Sequence, residues 1–389
     1  MTISPVPIPG RILLVAYNFP SVSQTFIVDQ FLHLLVRGWD VHLLAARQTA
    51  QFHQGAPEID ASPELKERVH FSRDFNETIR ALTPQVVHFE FGNLALGHLG
   101  ACNDVGAASV VGFRGYDACY QQLNVPDYYD EVWNDATMLH CASEALWQRL
   151  KQRGCPSKKP HRVVPDGIDI DFFDPGDRLH TVVAGTRKRP LRLLSVGRLV
   201  WKKGHPYAIQ ALAELKQRGV HAKLTIIGGG SLTDELYFTA WDLGVFDRIE
   251  LLGSRSRGHV RLAAKRADVY ISASVSEGFG VSVLEGQAMR LPVVCTDAEG
   301  LTENVLDGVT GYVVPRRDPS AMADRLAELA VDPELRQRMG IAGRERVAAM
   351  YRIDQEIDGF EWLYYDAIEL QAIESSVQSP VSKAVSLDT

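Results

Sequence analysis

Short apolar, β-branched runs alternate with helical spacing along most of this chain. In the first half the runs predict strands over Arg11–Phe19, Val41–Ala45, Gln85–Phe91, Ala107–Phe113, Thr137–Ala142 and His161–Val164. Helical spacing covers Thr25–Gly38, with Ser23 placed to cap it and Gly38 to close it, and then Glu144–Arg153. The second half repeats the alternation. Its strands are expected at Leu191–Val196, Lys223–Ile227, Ile249–Leu252, Asp268–Ala273, Pro292–Thr296 and Gly311–Pro315, with helices at His205–Arg218, at Leu232–Leu243 and from Val281. Nearly continuous apolar strands separated by helices predict parallel sheets covered on both faces. The expected fold class is α/β, with two doubly wound, Rossmann-like domains facing across a cleft at the carboxyl ends of their strands.

Domain boundaries follow from where this pattern loosens. Residues 174–190 turn to Pro, Gly and charge and read as a linker, leaving an N-terminal domain over 1–175 and a second beginning at 190. A last helical pattern covers Glu356–Leu370, and residues 371–389 read as a mobile tail. The aromatic stretch Phe360–Tyr365 has helical spacing and reads as a packing face.

Charge narrows the class of function. Residues 1–175 carry 14 basic against 20 acidic residues, and the remainder 27 against 28. Neither half offers the basic field that nucleic-acid binding requires. Five scattered cysteines suit reduced thiols better than a disulfide or zinc framework. The opening residues show no signal-peptide pattern and no run reaches the ~20 apolar residues of a membrane span, so a cytoplasmic protein is expected. Six cations without an acid between Arg149 and Arg162 raise a peripheral contact with the inner face of an anionic membrane, although such runs are usually solvated.

Two stretches carry candidate chemistry. In Ser274–Glu285 (SVSEGFGVSVLE) a strand ends, a loop holds Glu277, Gly278, Phe279 and Gly280, and a helix begins near Val281. Glycines let backbone approach a ligand, and unpaired N–H groups at a helix start suit phosphate. Glu285, in the first turns of that helix, could accept hydrogen bonds from two neighbouring hydroxyls such as those of a ribose. A plain Gly-rich turn with a solvated carboxylate explains this stretch about as well. The second stretch, Gly197–Gly204 (GRLVWKKG), places Arg198 and Lys203 at another strand's carboxyl end, where cations can neutralise a diphosphate. Co-location of both stretches on one sheet edge favours function. Gly228–Gly230 reads mainly as a tight strand-to-helix turn.

Together these residues, with Thr296-Asp297, Glu303 and the Asp307–Gly311 turn, resemble glycosyltransferase family 4, retaining nucleotide-sugar-dependent enzymes of GT-B architecture. The resemblance is strongest over about 190–350. It is looser in the first half, through Phe19-Pro20, Ser23–Phe26, His88, Gly115-Tyr116-Asp117, Ala142–Glu144 and Val164–Asp169, where it is similar to the colanic-acid type that builds bacterial exopolysaccharide. It implies a catalytic set of Arg198 and Lys203 on the donor diphosphate and Glu277 at the donor sugar. Donor binding would add Gly197, the backbone of Phe279, Gly280 and Val281, Glu285 on the ribose and Glu303 bordering the nucleotide. His88, Arg114 and Asp117 would face the acceptor. The resemblance also implies that the second domain ends at 352 and that a helix over 353–370 crosses back to the first.

The partners expected are a UDP- or GDP-linked sugar donor and a glycan or lipid-linked acceptor, as in capsule, exopolysaccharide or lipopolysaccharide synthesis. No Asp-x-Asp pair stands where a metal-dependent transferase would need one, so neither a metal nor another cofactor is expected. The departures lie on the acceptor side. Arg114 replaces a histidine common in relatives, and His88-Phe89-Glu90 replaces a His-x-His pair. Arg114 keeps open a catalytically degenerate nucleotide-sugar-binding partner or sensor. Nothing in the sequence decides the oligomeric state.

Overall fold

A computed structural model describes residues 10–21, 24–50, 52–177 and 182–378. Two parallel sheets form its frame. The first runs β3-β2-β1-β4-β5-β6-β7 and uses Arg11–Phe19 (β1), Asp40–Gln48 (β2), Val69–Phe71 (β3), Val86–Phe89 (β4), Ala108–Phe113 (β5), Met138–Cys141 (β6) and His161–Val163 (β7). The second runs β10-β9-β8-β11-β12-β13 and uses Leu191–Val196 (β8), Ala222–Ile227 (β9), Ile249–Leu251 (β10), Val269–Ser272 (β11), Val293–Thr296 (β12) and Gly311–Val314 (β13). In each sheet the chain reverses its direction of travel beside the first strand, between β1 and β4 and between β8 and β11. Crevices open at these switch points, at the carboxyl ends of the strands.

Burial follows the strand pattern. Every residue of β4, β5, β6 and β12 is buried, while the edge strands β3 and β10 are partly open. Helix starts are fixed by side-chain caps: Asp74 accepts from Glu77 N–H at 2.9 Å, Asp318 from Ala321 N–H at 2.9 Å and Asp332 from Leu335 N–H at 2.8 Å. Beyond the predicted elements, the structure adds β3, short helices between residues 52 and 104, and the helices Arg257–Arg266, Pro319–Val331 and Pro333–Met350. Only the shortest of these have too few turns for periodicity to reveal.

The C-terminal helix spans Ile353–Gln378, longer at both ends than its apolar pattern. Residues 371–378 are therefore helical, contrary to the expected tail, and 379–389 lie outside the described residues, as does the Ser23 cap. Phe360, Leu363, Tyr364 and Ala367 enter one core with Ile27, Phe31, Trp39, Val86, Val110 and Met138 of the first domain. The helix thus closes the first domain although it follows the second in sequence.

Two chain crossings join the domains side by side. Ile168 N–H donates to Tyr351 O at 2.7 Å, Ile353 N–H donates to Ile168 O at 3.3 Å, and Gly167 N–H is received by the Glu356 carboxylate at 2.9 Å. Because Phe360 is fully buried in the first domain's core, Phe360→Ala is expected to cost about 3–5 kcal/mol. Urea unfolding should show the loss in the first domain's transition. An unchanged midpoint would detach the helix from that core.

Candidate functional site

The second domain's half of the site grows from the ends of β8 and β11. After β8 the chain turns at Gly197 and Arg198, makes one short helical turn over Trp201–Lys203 and stops at Gly204. Gly204 has φ 61°, and a Cβ there would collide with the Ala273 carbonyl oxygen, so only glycine lets this loop lie against the end of β11. The two loops are stitched together by Val275 and Ser276 N–H, which donate to Lys202 O at 2.7 and 3.3 Å. Lys203 lays its stem over Gly197 and forms an ion pair with Glu277. Burial would raise the Glu277 carboxyl, but Lys203 and Lys202 together hold it below the ordinary glutamate range.

Around this pair the charges are unevenly committed. Arg198 is exposed and makes no ion pair among the described residues. Glu285 is half-buried on the helix Val281–Ala288, and its carboxylate hydrogen-bonds no neighbour among the described residues. Burial pushes its carboxyl up to about 7, Arg257 opposes the shift and Asp29 adds to it. Arg257, from the helix Arg257–Arg266, pairs with Asp29 of the first domain at 3.1 Å. Glu285 therefore lies beside an ion pair that spans the cleft. The Phe279 carbonyl is held by Asn304 Nδ2 at 2.6 Å, and its ring packs on Tyr351 at 5.7 Å, leaving only backbone to line a ligand.

Contact between the domains is made by backbone. A Cβ on Gly278 would stand 2.7 Å from Gly115 N, and one on Gly115 would stand 2.9 Å from Gly278 N. Two glycines at this point let the loops touch. Ser143 reinforces the contact: its Oγ donates to Gly278 O at 2.7 Å while accepting from Leu146 N–H at 3.1 Å as the cap of the helix Glu144–Gln152.

Glu303, expected beside the nucleotide, is placed differently. Its carboxylate accepts from Glu144 and Ala145 N–H at 3.1 and 2.7 Å, so it caps that same first-domain helix. Arg149 meets Glu299 at 3.1 Å, and Glu299 in turn receives Glu277 N–H at 2.9 Å. Ser143, Glu299 and Asn304 were not singled out for these roles. Their contacts join segments more than 20 residues apart, and no local spacing reports them.

The three acceptor-side candidates are all buried. His88 receives Gln30 Nε2 at 3.1 Å at Nδ1 and lies 2.9 Å from Tyr364 OH. Burial drives its pKa well below the usual value, so it is neutral and screened from the cleft. Asp117 accepts from Gly92 and Arg114 N–H, both at 2.8 Å, and shapes the loop after β5. Arg114 turns inward, pairs with Asp166, reaches Glu90 at 3.3 Å and stacks on Phe26 at 3.9 Å. Its charge is spent on the chain's own carboxylates rather than on an acceptor, which removes the feature that favoured a degenerate binder.

The basic run Arg149–Arg162 is largely spent too. Arg149 pairs with Glu299 and Arg162 with Asp366, Arg153 donates to the Asp117 and Gln121 carbonyls, and Lys159 donates to Asn134 O. No group of three or more His, Cys, Asp or Glu residues able to hold a metal occurs among the described residues, and no described helix is long and apolar enough to cross a membrane.

Two facing Rossmann-like domains, with an uncommitted Arg198 and an unpaired Glu285 carboxylate near the switch point of the second, have the GT-B architecture. Residues 180–346 match the glycosyl transferases group 1 family. The amylovoran biosynthesis glycosyltransferase AmsK of Erwinia amylovora is 26% identical over 375 residues, covering 80% of this chain and 89% of that protein. A putative colanic acid biosynthesis glycosyltransferase, WcaL of Salmonella typhimurium, is 32% identical over 245 residues, covering 61% and 59% respectively, so the chain spans little more than half of that relative. Among solved structures, a glycosyltransferase from Rickettsia africae superposes with TM-score 0.75 at 18% identity, covering 93% of this chain and 99% of that one. Anabaena HepE in complex with UDP-glucose gives 0.75 at 15% identity, covering 94% and 100%. At such identities the structural likeness concerns the fold.

Since a Cβ on residue 278 would stand 2.7 Å from Gly115 N, Gly278→Ala is expected to hold the domains apart while leaving each one folded. Small-angle scattering should then show a larger radius of gyration at unchanged circular dichroism. A variant as compact as the wild type would refute the tight-contact account.

Proposed function

We propose that the chain transfers a hexosyl group, with retention of configuration and without a metal, from a UDP- or GDP-linked sugar to a glycan or lipid-linked acceptor of a bacterial surface polysaccharide. The observation that carries this reading is the grouping of uncommitted Arg198, the Lys203–Glu277 pair and unpaired Glu285 along one sheet edge. Arg198 and Lys203 hold the diphosphate and stabilise the charge that grows on it as the anomeric bond breaks. Glu285 takes the ribose hydroxyls. Glu277 faces the donor sugar, with Gly197 and the backbone of Phe279, Gly280 and Val281 beside it. The acceptor hydroxyl attacks from the face the diphosphate leaves, and its proton passes to the departing phosphate oxygen. That assignment suits a first domain whose His88, Glu90, Asp117 and Asp166 are buried and whose Asp29 is already paired with Arg257. The names of the relatives support the substrate class: one acts in amylovoran biosynthesis, one is a GDP-mannose-dependent mannosyltransferase, and HepE was solved with UDP-glucose.

The acceptor would meet an aromatic rim. Tyr116 and Trp201 are 54% and 56% exposed and are linked through Tyr120 at 4.9 and 5.5 Å. Such faces stack on sugar rings. A bilayer contact would have to use surfaces other than the largely paired Arg149–Arg162 run.

Lys203→Met is expected to lower donor turnover by roughly 10²–10³-fold, the loss typical of removing one charge-stabilising donor, with the fold retained by circular dichroism. Turnover within a few-fold of wild type would end this assignment. Glu285 accepts ribose hydroxyls only as a carboxylate, and its carboxyl is pushed up to about 7. The nucleoside diphosphate affinity of the wild type relative to that of Glu285→Gln should therefore rise between pH 6 and 8. Parallel pH profiles would contradict the ribose role.

A further inference from the structure

Lys202 adjoins Lys203 in sequence but sits in different surroundings. It is only 5% exposed. Its ammonium lies 5.2 Å from the centre of the Tyr120 ring and 3.6 Å from where a Cβ on Gly115 would stand. A lysine of the second domain thus reaches across the seam to the first domain's Gly115–Tyr120 loop. Its carbonyl is gripped by Val275 and Ser276 N–H, so it moves with the loop that carries Glu277. The charged and titratable groups facing it are Glu277, Lys203, Arg198, Cys119 and Tyr120. Among the described residues, the ammonium makes no hydrogen bond and no ion pair, whereas Lys203 is paired with Glu277.

This arrangement bears on the diphosphate role assigned above to Lys203. An ammonium already bound to a buried carboxylate cannot move to a phosphate without stranding that carboxylate, a strongly unfavourable outcome. We propose that Lys202 is the standby partner of Glu277: when a nucleoside diphosphate draws Lys203 away, Lys202 takes over the carboxylate and keeps its charge compensated. Lys202 is then a positioning residue that acts on the donor through Glu277. The proposal rests on the reading of Lys203 as a diphosphate ligand. Its electrostatics agree with the geometry. Burial lowers the Lys202 pKa to about 8, with Glu277 opposing the shift and Lys203 and Arg198 adding to it. The group is cationic at neutral pH and loses its charge above about 8.

Calorimetric titration of UDP and of GDP into wild type, Lys202→Met, Lys202→Arg, Lys203→Met, Glu277→Gln and the Lys202→Met/Glu277→Gln double variant tests the exchange. Lys202→Met should weaken diphosphate binding roughly tenfold, and Lys202→Arg should restore most of it. In the Glu277→Gln background, where no carboxylate charge needs a partner, Lys202→Met should cost nothing further. Unchanged affinity in Lys202→Met, or the same loss in both backgrounds as a direct phosphate contact would give, overturns the proposal. Should Lys202→Met fail to fold, the pH series decides: the affinity of the wild type relative to that of Lys202→Arg should fall between pH 7 and 9, and a ratio that stays constant over that range overturns it. Wild type that binds neither diphosphate, or Lys203→Met that binds as well as wild type, refutes the donor-site reading itself. Binding that depends on Lys203 without coupling between Lys202 and Glu277 refutes only the standby role.

Discussion

The cleft is organised by a contact that only main chain can make. Gly115 and Gly278 meet backbone to backbone across the two domains, and Ser143 fastens the meeting by donating to the Gly278 carbonyl. From this point the other cross-cleft bonds follow. Glu303 caps the helix that Ser143 begins, Glu299 ties Arg149 to the Glu277 backbone, and Asp29 meets Arg257. Each is modest alone, since partly exposed ion pairs contribute little. Together they hold the Glu277 loop against the first domain and bring Lys202 and Lys203 to the seam.

The two domains handle buried charge in opposite ways. In the first, Arg114, Asp166 and Glu90 neutralise one another beneath the cleft, and burial pushes the Glu90 carboxyl up to about 7. Breaking such a buried set by removing one partner is costly, so it stiffens the region behind the Gly115 loop. In the second, Arg198 and Glu285 are left without protein partners and Lys202 is underused. A charged ligand can repay the desolvation of Glu285 and Lys202, and exposed Arg198 stands ready to meet it. On the proposed function the chemistry sits on the second domain, and the first supplies walls and closure.

How much of this was legible in sequence follows from the range of the interactions. The predicted bounds of β1 and β8 coincide with the observed ones, because the buried apolar centres of parallel strands, Ile12–Ala16 and Leu193-Leu194, are plain in composition. The loops GRLVWKKG and SVSEGFGVSVLE were visible because strand end, glycine and charge coincide locally. Glu303 misled because its partners, the N–H groups of Glu144 and Ala145, lie in the other domain. Arg114 misled for a related reason: position beside the Gly-Tyr-Asp loop says nothing of rotamer, and Asp166 lies on the far side of two strands. The C-terminal helix ran past its apolar stripe because helical hydrogen bonds continue into the polar Gln371, which accepts from Thr137 Oγ1 at 2.8 Å, and into exposed residues after it.

The central claim is that a nucleotide-sugar donor lies along the edge formed by Arg198, Lys203 and Glu285. The most direct measurement is a crystal structure of the chain soaked with whichever of UDP or GDP it binds. The account predicts a diphosphate between the Arg198 guanidinium and the Lys203 ammonium, the ribose hydroxyls on the Glu285 carboxylate and Lys203 withdrawn from Glu277. A nucleotide seated elsewhere, or a diphosphate that leaves the Lys203–Glu277 pair intact, would contradict it.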